Sequence, residues 1–452
     1  METLTLSKLD PAVVFKSQKR KALQLKKSTA QERIARLLKL KETVNANAEK
    51  ILGALYQDFK KPPQEAGFEI NAITNEIDFI NAFLETWMTP QVVPTPEDFG
   101  GEASESKIIL EPKGVVLFLT PWNYPFVLTI RPLVACIAAG NAVMIKPSEL
   151  TPHSARLIKE ILESVFPEDE VCVFEGGVEV ASELLKLPFE HIFYTGGPQV
   201  AKIVMQAAAE NLSSVTLELG GKSPSIIDDS ADFTEVAGKL TFGKYMNCGQ
   251  TCMTTDYVLV SEKRKDEFLG AMKAAIEAMY GPEGPGTSSP GYARLVNRKH
   301  FNRVKNLLQD ALYKGATLVT GGKTDEEENY ISPTLLADVS PDHAIMKEEI
   351  FGPVLPVMTY DTLDDAIDFV NQRDHPLGLY VFGKDRANIE KVINHTTAGG
   401  TVVNHTMIHN LSPFLPFGGV GRSGTGKGNG YFAFLDFSNQ RPVMEVKAGM
   451  WA

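Results

Sequence analysis

Length, composition and charge set the first limits on what this chain can be. At 452 residues it is too long for one hydrophobic core, so we expect two or three domains. Its hydrophobic content of 43% and its charged content of 22% are typical of a soluble globular protein. The net charge of -11 argues against nucleic acid or an anionic membrane surface as the main partner.

Cysteine usage and the terminal segments favour a cytoplasmic protein. Four cysteines in so long a chain do not make a disulfide framework, which favours a reducing compartment. The N-terminus carries Glu2 and Asp10 and has no long apolar core, so we expect neither a signal peptide nor a transit peptide. Because no apolar run reaches the roughly 20 residues that a membrane span needs, we expect no stable membrane anchor.

The N-terminal part is predicted to be helical and then irregular. Apolar residues fall at helical spacing over residues 31–59 and again over 70–87, which predicts two amphipathic helices. Residues 89–106 hold three prolines, two glycines and several acids, a composition typical of a loop or linker. A short strand is predicted at 107–111.

Beyond this segment, short apolar runs alternate with amphipathic helical stretches. Nearly continuous, β-branched runs are typical of strands buried on both faces, and the alternation indicates a parallel sheet covered by helices. The first set of runs lies at 115–119, 142–146, 171–175, 191–194 and 215–219. The second set follows Ser223, at 225–228, 257–260, 317–320, 354–360, 379–382 and 401–404. We therefore predict an α/β protein with two such domains.

The stretch Asn247-Cys248-Gly249-Gln250-Thr251-Cys252 contains the candidate nucleophile, Cys252. A thiol in a glycine-containing turn between a helix and an apolar segment is on a loop, where it can face a cleft. Taken alone, however, a buried cysteine is more often an inert small hydrophobe. The neighbouring Cys248 could oxidise with Cys252, although a packing role fits it better.

Two predicted strands end in polar residues that could meet a ligand. Asn123 follows the run 115–119 and could offer its amide as a donor, although a structural asparagine in a proline-rich turn explains it as well. Lys146 and Glu149 follow the next run and could bind ribose hydroxyls or a phosphate. A solvated charged loop explains that pair equally well.

Two further strand ends contain glycine pairs. Thr195-Gly196-Gly197 leads from a strand into a helix, where backbone N–H groups could bind a phosphate, although a Gly-Gly turn alone is weak support. Glu218 lies in an apolar strand that two glycines close, so burial should raise its pKa toward that of a general base. A glutamate bonded to nearby backbone amides is the alternative.

Taken together, these stretches resemble the aldehyde dehydrogenase superfamily over residues 31–441, and most of all its class 3 branch of fatty, aromatic and apocarotenoid aldehyde dehydrogenases. The motifs occur in the order typical of that family. They are Pro121-Trp122-Asn123, Lys146-Pro147-Ser148-Glu149, Leu217-Glu218-Leu219-Gly220-Gly221-Lys222, Gly249-Gln250-Thr251-Cys252, Glu349-Ile350-Phe351-Gly352-Pro353 and Leu415-Pro416-Phe417-Gly418-Gly419.

The resemblance implies oxidation of an aldehyde to a carboxylate. The Cys252 thiolate would attack the aldehyde carbon, while the Asn123 amide and the N–H of Cys252 hold the oxyanion. Hydride would pass to a nicotinamide, and Glu218 would activate water to hydrolyse the thioester. The expected cofactor is NAD, with NADP also accepted, and no metal is expected.

The resemblance also assigns cofactor and substrate residues. Glu349 would hold the nicotinamide ribose with Phe351 against it, and Lys146 and Glu149 would meet the adenine ribose. The remaining cofactor residues are Trp122, Thr195, Gly196 and Gly197. The candidate substrate residues are Tyr124, Met246, Met253 and His405, a mix that favours a lipophilic aldehyde.

Domains and assembly follow from the same resemblance. The implied fold has two Rossmann-like open-sheet domains and a small β element for oligomerisation. The NAD(P)-binding domain would be 1–91 with 112–217, the catalytic domain 218–416, and the bridging strands 92–111 and 431–447. A homodimer is expected, assembled through the strand at 108–110 and the tail at 443–446.

Rival functions are less consistent with the same residues. A CoA-acylating aldehyde dehydrogenase generally lacks a base at the position of Glu218. An inactive binding protein would not be expected to retain Cys252, Asn123, Glu218 and Glu349 together. A cysteine hydrolase would need a histidine base, and the cofactor motifs of this chain do not fit such an enzyme. The chain departs from the family at Met253-Thr254-Thr255-Asp256, where an Ala-Pro pair is usual, so the local loop shape stays open.

Overall fold

The computed structural model describes residues 9–446. Four helices come first: α1 (Pro11–Leu25), α2 (Ala30–Ala46), α3 (Ala48–Phe59) and α4 (Pro63–Met88). Local sequence sets their starts, since Asp10 accepts from the N–H of Ala12 and Thr29 with Glu32 forms a capping box. The helical pattern over 31–59 belongs to two helices, because the backbone of Asn47 between them is not helical.

The other regular elements alternate along the chain. The helices are α5 (Val127–Ala139), α6 (Pro152–Val165), α7 (Val178–Leu184), α8 (Pro198–Asn211), α9 (Phe233–Tyr245), α10 (Lys265–Tyr280), α11 (Arg298–Tyr313), α12 (Leu363–Asn371), α13 (Arg386–His395) and α14 (Gly430–Asp436). The strands are β1 (Gln91–Val93), β2 (Glu105–Pro112), β3 (Val115–Leu119), β4 (Ala142–Lys146), β5 (Val171–Val173), β6 (His191–Gly196), β7 (Ser214–Leu219), β8 (Pro224–Ile227), β9 (Tyr257–Ser261), β10 (Thr317–Thr320), β11 (Thr324–Asp325), β12 (Tyr330–Ile331), β13 (Thr334–Ala337), β14 (Val354–Tyr360), β15 (Gly378–Phe382), β16 (Gly400–Val403), β17 (Gly424–Thr425) and β18 (Ser438–Glu445).

The first sheet has the order β17-β7-β6-β3-β4-β5 and is parallel except for β17. Alternate residues of its strands face two cores. Val116 and Phe118 lie in the core that α2 to α6 share, whereas Val115 and Leu117 lie in the core that α1, α7 and α8 share. Burial on both faces explains the continuous apolar runs, and the predicted α/β fold class is confirmed.

The order of this sheet reverses between β3 and β6, and ligands of such sheets bind outside the carboxyl ends of the strands at that point. The register aligns those ends. Leu119 of β3 pairs with Lys146 of β4 and with Tyr194 of β6, and Thr195 of β6 pairs with Glu218 of β7. The predicted strand-end residues therefore share one edge of the sheet.

The second sheet has the order β10-β13-β14-β9-β8-β15-β16, with β10 antiparallel to β13 and the other pairs parallel. All six runs predicted after Ser223 are strands of this sheet. The pattern missed β13, a short strand that lies between Pro333 and Asp338, whose φ is +55°. It also missed the small β11–β12 hairpin.

The third sheet is small and has the order β1-β2-β18, with both pairs antiparallel. The segment predicted as a loop at 89–106 contains β1 and two 3-10 turns before β2 begins. The predicted bridging range 431–447 is wrong at its start, because most of its first residues form α14, whose apolar face packs against α4 and α5. Residue 447 lies outside the described residues, and the division into domains stays a prediction.

Residues 9–446 contain neither a candidate membrane span nor a candidate metal site. No helix in that range is both long enough and apolar enough to cross a membrane. Histidine, cysteine and carboxylate side chains in the same range nowhere gather in threes that could hold a metal ion.

Candidate active site

The loop before Cys252 has an unusual backbone. Asn247, Cys248 and Gly249 have φ values of +54°, +55° and +72°, a left-handed run that only glycine adopts without cost. Long-range contacts hold it. The N–H of Asn247 donates to Glu65 Oε2 at 2.7 Å, and a Cβ at Gly249 would overlap the carbonyl of Gly352.

Gln250 fixes the same loop from inside. Its buried side chain donates to the carbonyl of Asn247 at 3.0 Å and to that of Arg294 at 2.9 Å, and it accepts from the N–H of Val296 at 3.0 Å. Sequence reasoning gave Gln250 no role. Its position inside the motif that ends at Cys252 was the only available signal. The glutamine holds the backbone that carries the nucleophile.

Cys252 is half-buried and lies close to two carboxyl groups. Burial, and then the carboxylates of Glu349 and Glu218, raise the pKa of its thiol to about 12 against the opposing effect of the N–H groups of Cys252 and Met253. Cys248 is buried, with its Sγ 3.6 Å from Tyr292 Oη, and burial raises its pKa to about 12 as well. These contacts give Cys248 a packing role.

Asn123 and Tyr124 tie the end of β3 to this loop. Asn123 is buried and its Nδ2 donates to the carbonyl of Gln250 at 3.1 Å. Tyr124 Oη lies 2.8 Å from Thr251 Oγ1. Asn123, the predicted oxyanion donor, thus bonds Gln250, two residues before Cys252 in the chain, and Tyr124 bonds the residue between them. The structure therefore brings Asn123, Tyr124 and Cys252 together.

Glu218 is buried, and neither of its carboxyl oxygens has a hydrogen-bond partner among residues 9–446. The alternative of a glutamate bonded to backbone amides is therefore not seen. Burial raises the pKa of Glu218 well above its ordinary value, while Lys427 lowers it and Asp436 raises it. Lys427 itself donates to the carbonyls of Gly418 and Gly419 at 2.6 and 2.9 Å. An unpaired buried carboxyl beside a thiol is suited to proton transfer.

Glu349 packs against the glycine pair that closes β7. A Cβ at Gly220 would overlap its carboxyl group, which explains why two motifs far apart in sequence occur together. Burial, and then Asp256, raise the pKa of Glu349 to about 8 against the opposing effect of the N–H of Gly221. The carboxyl of Glu349 also faces the Cys252 thiol.

The loop that carries Glu349 is held by charged residues that the sequence did not single out. Lys222 Nζ pairs with Asp256 Oδ2 at 2.5 Å and donates to the carbonyl of Glu348 at 2.9 Å. Asp256 Oδ1 accepts from the N–H of Ile350 at 3.0 Å, and Arg303 donates to the carbonyls of this loop. The only sequence signal for this role was position: Lys222 follows the glycine pair and Asp256 ends the segment after Cys252.

The same loop carries Phe351, whose ring contacts a second aromatic ring. The rings of Trp122 and Phe351 meet edge to face with centroids 5.4 Å apart, and His300 lies 5.0 Å from Trp122. Phe351 has a φ of +45°, a conformation disfavoured for a bulky residue. The strained backbone directs the phenyl ring toward Trp122, so the structure pairs these two predicted cofactor residues.

The remaining predicted cofactor residues lie at the ends of β4 and β6. Lys146 Nζ pairs with Glu149 Oε2 at 2.5 Å. A Cβ at Gly196 would overlap Tyr194 Oη, so the turn that starts α8 requires glycine there. Beside it, the apolar side chains of Val200 and Ile203 on α8 are 47% and 56% exposed. The turn formed by Thr195, Gly196 and Gly197 is thus followed by an exposed apolar surface on α8, which the sequence analysis did not predict.

The predicted substrate residues are only partly gathered. Met246 and Met253 are partly buried on either side of the nucleophile loop. Tyr380, which was not predicted, donates to the carbonyl of Met253 and lies close to the Cys252 thiol. His405 instead turns its Nδ1 toward the backbone of its neighbour Thr406.

The departure from the family after Met253 is accommodated by hydrogen bonds. Thr254 Oγ1 donates to the carbonyl of Gly243 at 2.8 Å, and Thr255 Oγ1 lies 2.8 Å from Ser225 Oγ. Both threonines are buried. The loop after the nucleophile is therefore as firmly held as the loop before it.

Comparison with known proteins supports the same assignment. The chain matches the profile of the Aldehyde dehydrogenase family over residues 7–443. The 4,4'-diaponeurosporen-aldehyde dehydrogenase of Staphylococcus aureus is 42% identical over 433 residues, which cover 96% of this chain and 91% of that protein. Aldehyde dehydrogenase family 3 member A2 of Pongo abelii is 43% identical over 413 residues, which cover 91% and 83%.

A solved structure gives the same answer for the fold. The substrate-bound state of Staphylococcus aureus AldH superposes with a TM-score of 0.93 at 41% identity, and the match covers 98% of this chain and 95% of that one. The predicted resemblance, including its class 3 character, is confirmed by these relatives. The chain belongs to the aldehyde dehydrogenase family.

Proposed function

We propose that this enzyme oxidises a lipophilic aldehyde to the carboxylate with NAD(P), through a thioester on Cys252 that water hydrolyses. One observation carries the proposal: the half-buried Cys252 thiol lies within electrostatic range of the buried Glu218 and the half-buried Glu349, and the buried Asn123 amide bonds the loop that carries this thiol. Thiol, amide donor and unpaired carboxyl are the groups that acyl transfer to water requires.

In the first half of the reaction Cys252 Sγ bonds to the aldehyde carbon. The developing oxyanion receives hydrogen bonds from Asn123 Nδ2 and from the N–H of Cys252. The pKa of about 12 means that the thiol is protonated at neutral pH, so its proton must leave before or during attack. Glu349 and Glu218, the two carboxyl groups within electrostatic range of the thiol, can each accept it.

The residues around this site fit a nicotinamide dinucleotide. Gly197 precedes α8, whose first N–H groups can meet a phosphate, Val200 and Ile203 offer an apolar surface for a purine, and Glu149 can accept from a ribose hydroxyl. Glu349 can accept from the second ribose. When bound there, the oxidised nicotinamide supplies the hydride acceptor and a positive charge that favours the thiolate.

In the second half, Glu218 takes a proton from water as water attacks the thioester. Expulsion of the Cys252 thiolate gives the carboxylate product and a free thiol. A buried carboxyl of raised pKa is suited to this, because a base works best when its pKa approaches the working pH. The presence of Glu218 also argues against the CoA-acylating alternative.

The substrate class rests on the apolar residues Tyr124, Met246 and Met253, which contact or flank the nucleophile loop. The loop after β16 adds exposed apolar side chains, those of Ile408, Leu411, Phe414 and Leu415. The S. aureus relative is named for an apocarotenoid aldehyde, which agrees with a long apolar substrate here.

The deciding experiment is a panel of aliphatic and aromatic aldehydes followed by nicotinamide absorbance, with NAD and with NADP, in the presence and absence of CoA. We expect carboxylate formation without CoA and a rate that increases with aldehyde chain length. A strict need for CoA would favour the acylating reaction, and no reduction with any aldehyde would favour an inactive protein. We place the enzyme in the cytoplasm as a homodimer.

A further inference from the structure

A lysine and a glutamate are completely buried beneath the strand end that carries Asn123. Lys61 follows α3 and Glu69 lies on α4, both side chains are 0% exposed, and Lys61 Nζ is 2.6 Å from Glu69 Oε1. Desolvating two charges costs several kcal/mol per ion, so a buried pair of this kind seldom adds net stability. A role in fixing local geometry is therefore the better explanation for it.

The pair contacts one short segment of chain from two sides. Lys61 Nζ donates to the carbonyl of Asn123 at 3.3 Å and lies 3.7 Å from the centroid of the Tyr124 ring. Glu69 Oε2 accepts from the N–H groups of Phe126 and Val127, at 3.0 and 3.1 Å, where α5 begins. Residues 123–127 are thus held by both members.

That segment is also the one bonded to the nucleophile loop. Asn123 Nδ2 donates to the carbonyl of Gln250, and Tyr124 Oη bonds Thr251 Oγ1. The carbonyl of Asn123 accepts from Asn247 Nδ2 at 2.9 Å as well as from Lys61. Every contact that places the Asn123 amide relative to the thiol therefore joins this segment, which the ion pair anchors.

We propose that the Lys61–Glu69 pair is a positioning element that sets the placement of the Asn123 amide relative to the aldehyde carbon on Cys252. The inference rests on the proposed function. Lys61 and Glu69 act through Asn123 and Tyr124, so their effect is on the rate of oxyanion formation and not on cofactor binding.

The test uses the double variant Lys61→Met with Glu69→Gln. It removes both charges of the pair together and keeps an acceptor for the N–H groups of α5, so neither member is left as an unpaired buried ion. Misplacing a reacting group by about 1 Å can cost roughly 10²-fold, so we expect the pre-steady-state rate of nicotinamide reduction to fall about 10- to 100-fold. The cofactor Kd and the iodoacetamide reactivity of Cys252 should each change less than about threefold.

A second ion pair supplies the matched control. Arg131 on α5 is 13% exposed and lies 2.9 Å from Glu76 on α4, which is 2% exposed; they contact Asn410 and Gly430, respectively, instead of the Asn123 segment. The variant Arg131→Met with Glu76→Gln should leave the pre-steady-state rate within about threefold of wild type. Equal slowing in both double variants would show a general loss of packing and would overturn the proposal.

A double-mutant cycle separates positioning from independent action. In an Asn123→Ala background, Lys61→Met with Glu69→Gln should slow reduction by less than about threefold, because the group that the pair positions is gone. The full 10- to 100-fold effect in that background would overturn the proposal. If the charge-free pair does not fold, Lys61→Gln, which keeps a donor toward the Asn123 carbonyl, takes its place under the same criteria. Failure of wild type to reduce nicotinamide would instead refute the proposed function.

Discussion

At the scale of single residues, the thiol of Cys252 is held in its protonated form by its surroundings. Burial and two carboxyl groups raise its pKa to about 12, so below that value the thiolate fraction increases about tenfold per pH unit. We expect the alkylation rate of the cofactor-free protein by iodoacetamide to increase in that proportion from about pH 7 to 9. Mass spectrometry should find the adduct on Cys252, and a plateau below pH 8 would contradict this.

The buried base gives a second prediction at this scale. Glu218→Gln should show a burst of about one reduced nicotinamide per site, then turnover slowed by roughly 10²–10⁴-fold, because water lacks its base. Intact-mass analysis should find the acyl group on Cys252. Absence of a burst would show that Glu218 acts before the thioester forms.

The raised pKa of Glu218 also sets a pH dependence for the wild-type enzyme. The base form is lost as pH falls through a pKa that lies well above the ordinary value. Deacylation should therefore slow with falling pH from neutrality downward, while the burst amplitude stays the same. A steady-state rate that is constant down to about pH 5 would remove Glu218 from this step.

A further prediction at this scale is the choice of cofactor, which depends on Glu149. This carboxylate can accept from a ribose 2′-hydroxyl but repels a 2′-phosphate, while its partner Lys146 offsets part of the repulsion. We expect NAD to be preferred and NADP tolerated. Glu149→Gln should lower the ratio of kcat/KM with NAD to kcat/KM with NADP, because the neutral side chain no longer repels the 2′-phosphate. An NADP preference that Glu149→Gln leaves unchanged would contradict this account.

At the scale of elements, the glycine before the nucleophile joins two loops. Gly249→Ala would place a Cβ against the carbonyl of Gly352 in a backbone with φ of +72°, so the loop would have to move. We expect at least a tenfold loss of burst rate and a lower Tm. The control Gly270→Ala lies in α10 with open space around it and should stabilise by about 0.4–1 kcal/mol.

Sequence patterns predicted the elements better than the contacts between them. The strands β3 to β7 were predictable because burial on both faces leaves a continuous, β-branched apolar run, whereas β13, Thr334–Ala337, is buried but lacks the β-branched apolar residues of such a run. The residues from Tyr431 to Asp436 were placed in a bridging strand, yet they continue α14 onto the α4–α5 surface. Packing against distant partners decides such segments, and no local pattern records it.

The candidate site shows the same division. Chemical identity and motif order pointed to Cys252, Asn123 and Glu218. Nothing local marked Lys61 or Glu69 as a pair, since each looks like an ordinary charge on a helical stretch. The contact of Gly249 with Gly352 joins motifs that only the folded chain brings together.

At the scale of the whole molecule, the three-stranded sheet is the predicted assembly element. Its outer strands, β1 and β18, are largely exposed and carry the apolar side chains of Val92 and Met444. Light scattering should give twice the chain mass. Met444→Asp should shift the mass toward a monomer with cofactor binding retained, while Leu212→Asp, an exposed site at the end of α8, should not. A wild-type monomer or tetramer would count against the dimer.

The pairing of β7 with β17 has a consequence for the order in which the enzyme matures. Glu218 lies opposite Gly424, and Lys427 follows directly, so the surroundings of the base come from near the end of the chain. A ribosome releases the nucleophile loop well before it releases this cover. The nascent polypeptide therefore carries the Cys252 thiol before the surroundings of Glu218 are in place, and at that stage an aldehyde can add to the thiol only reversibly.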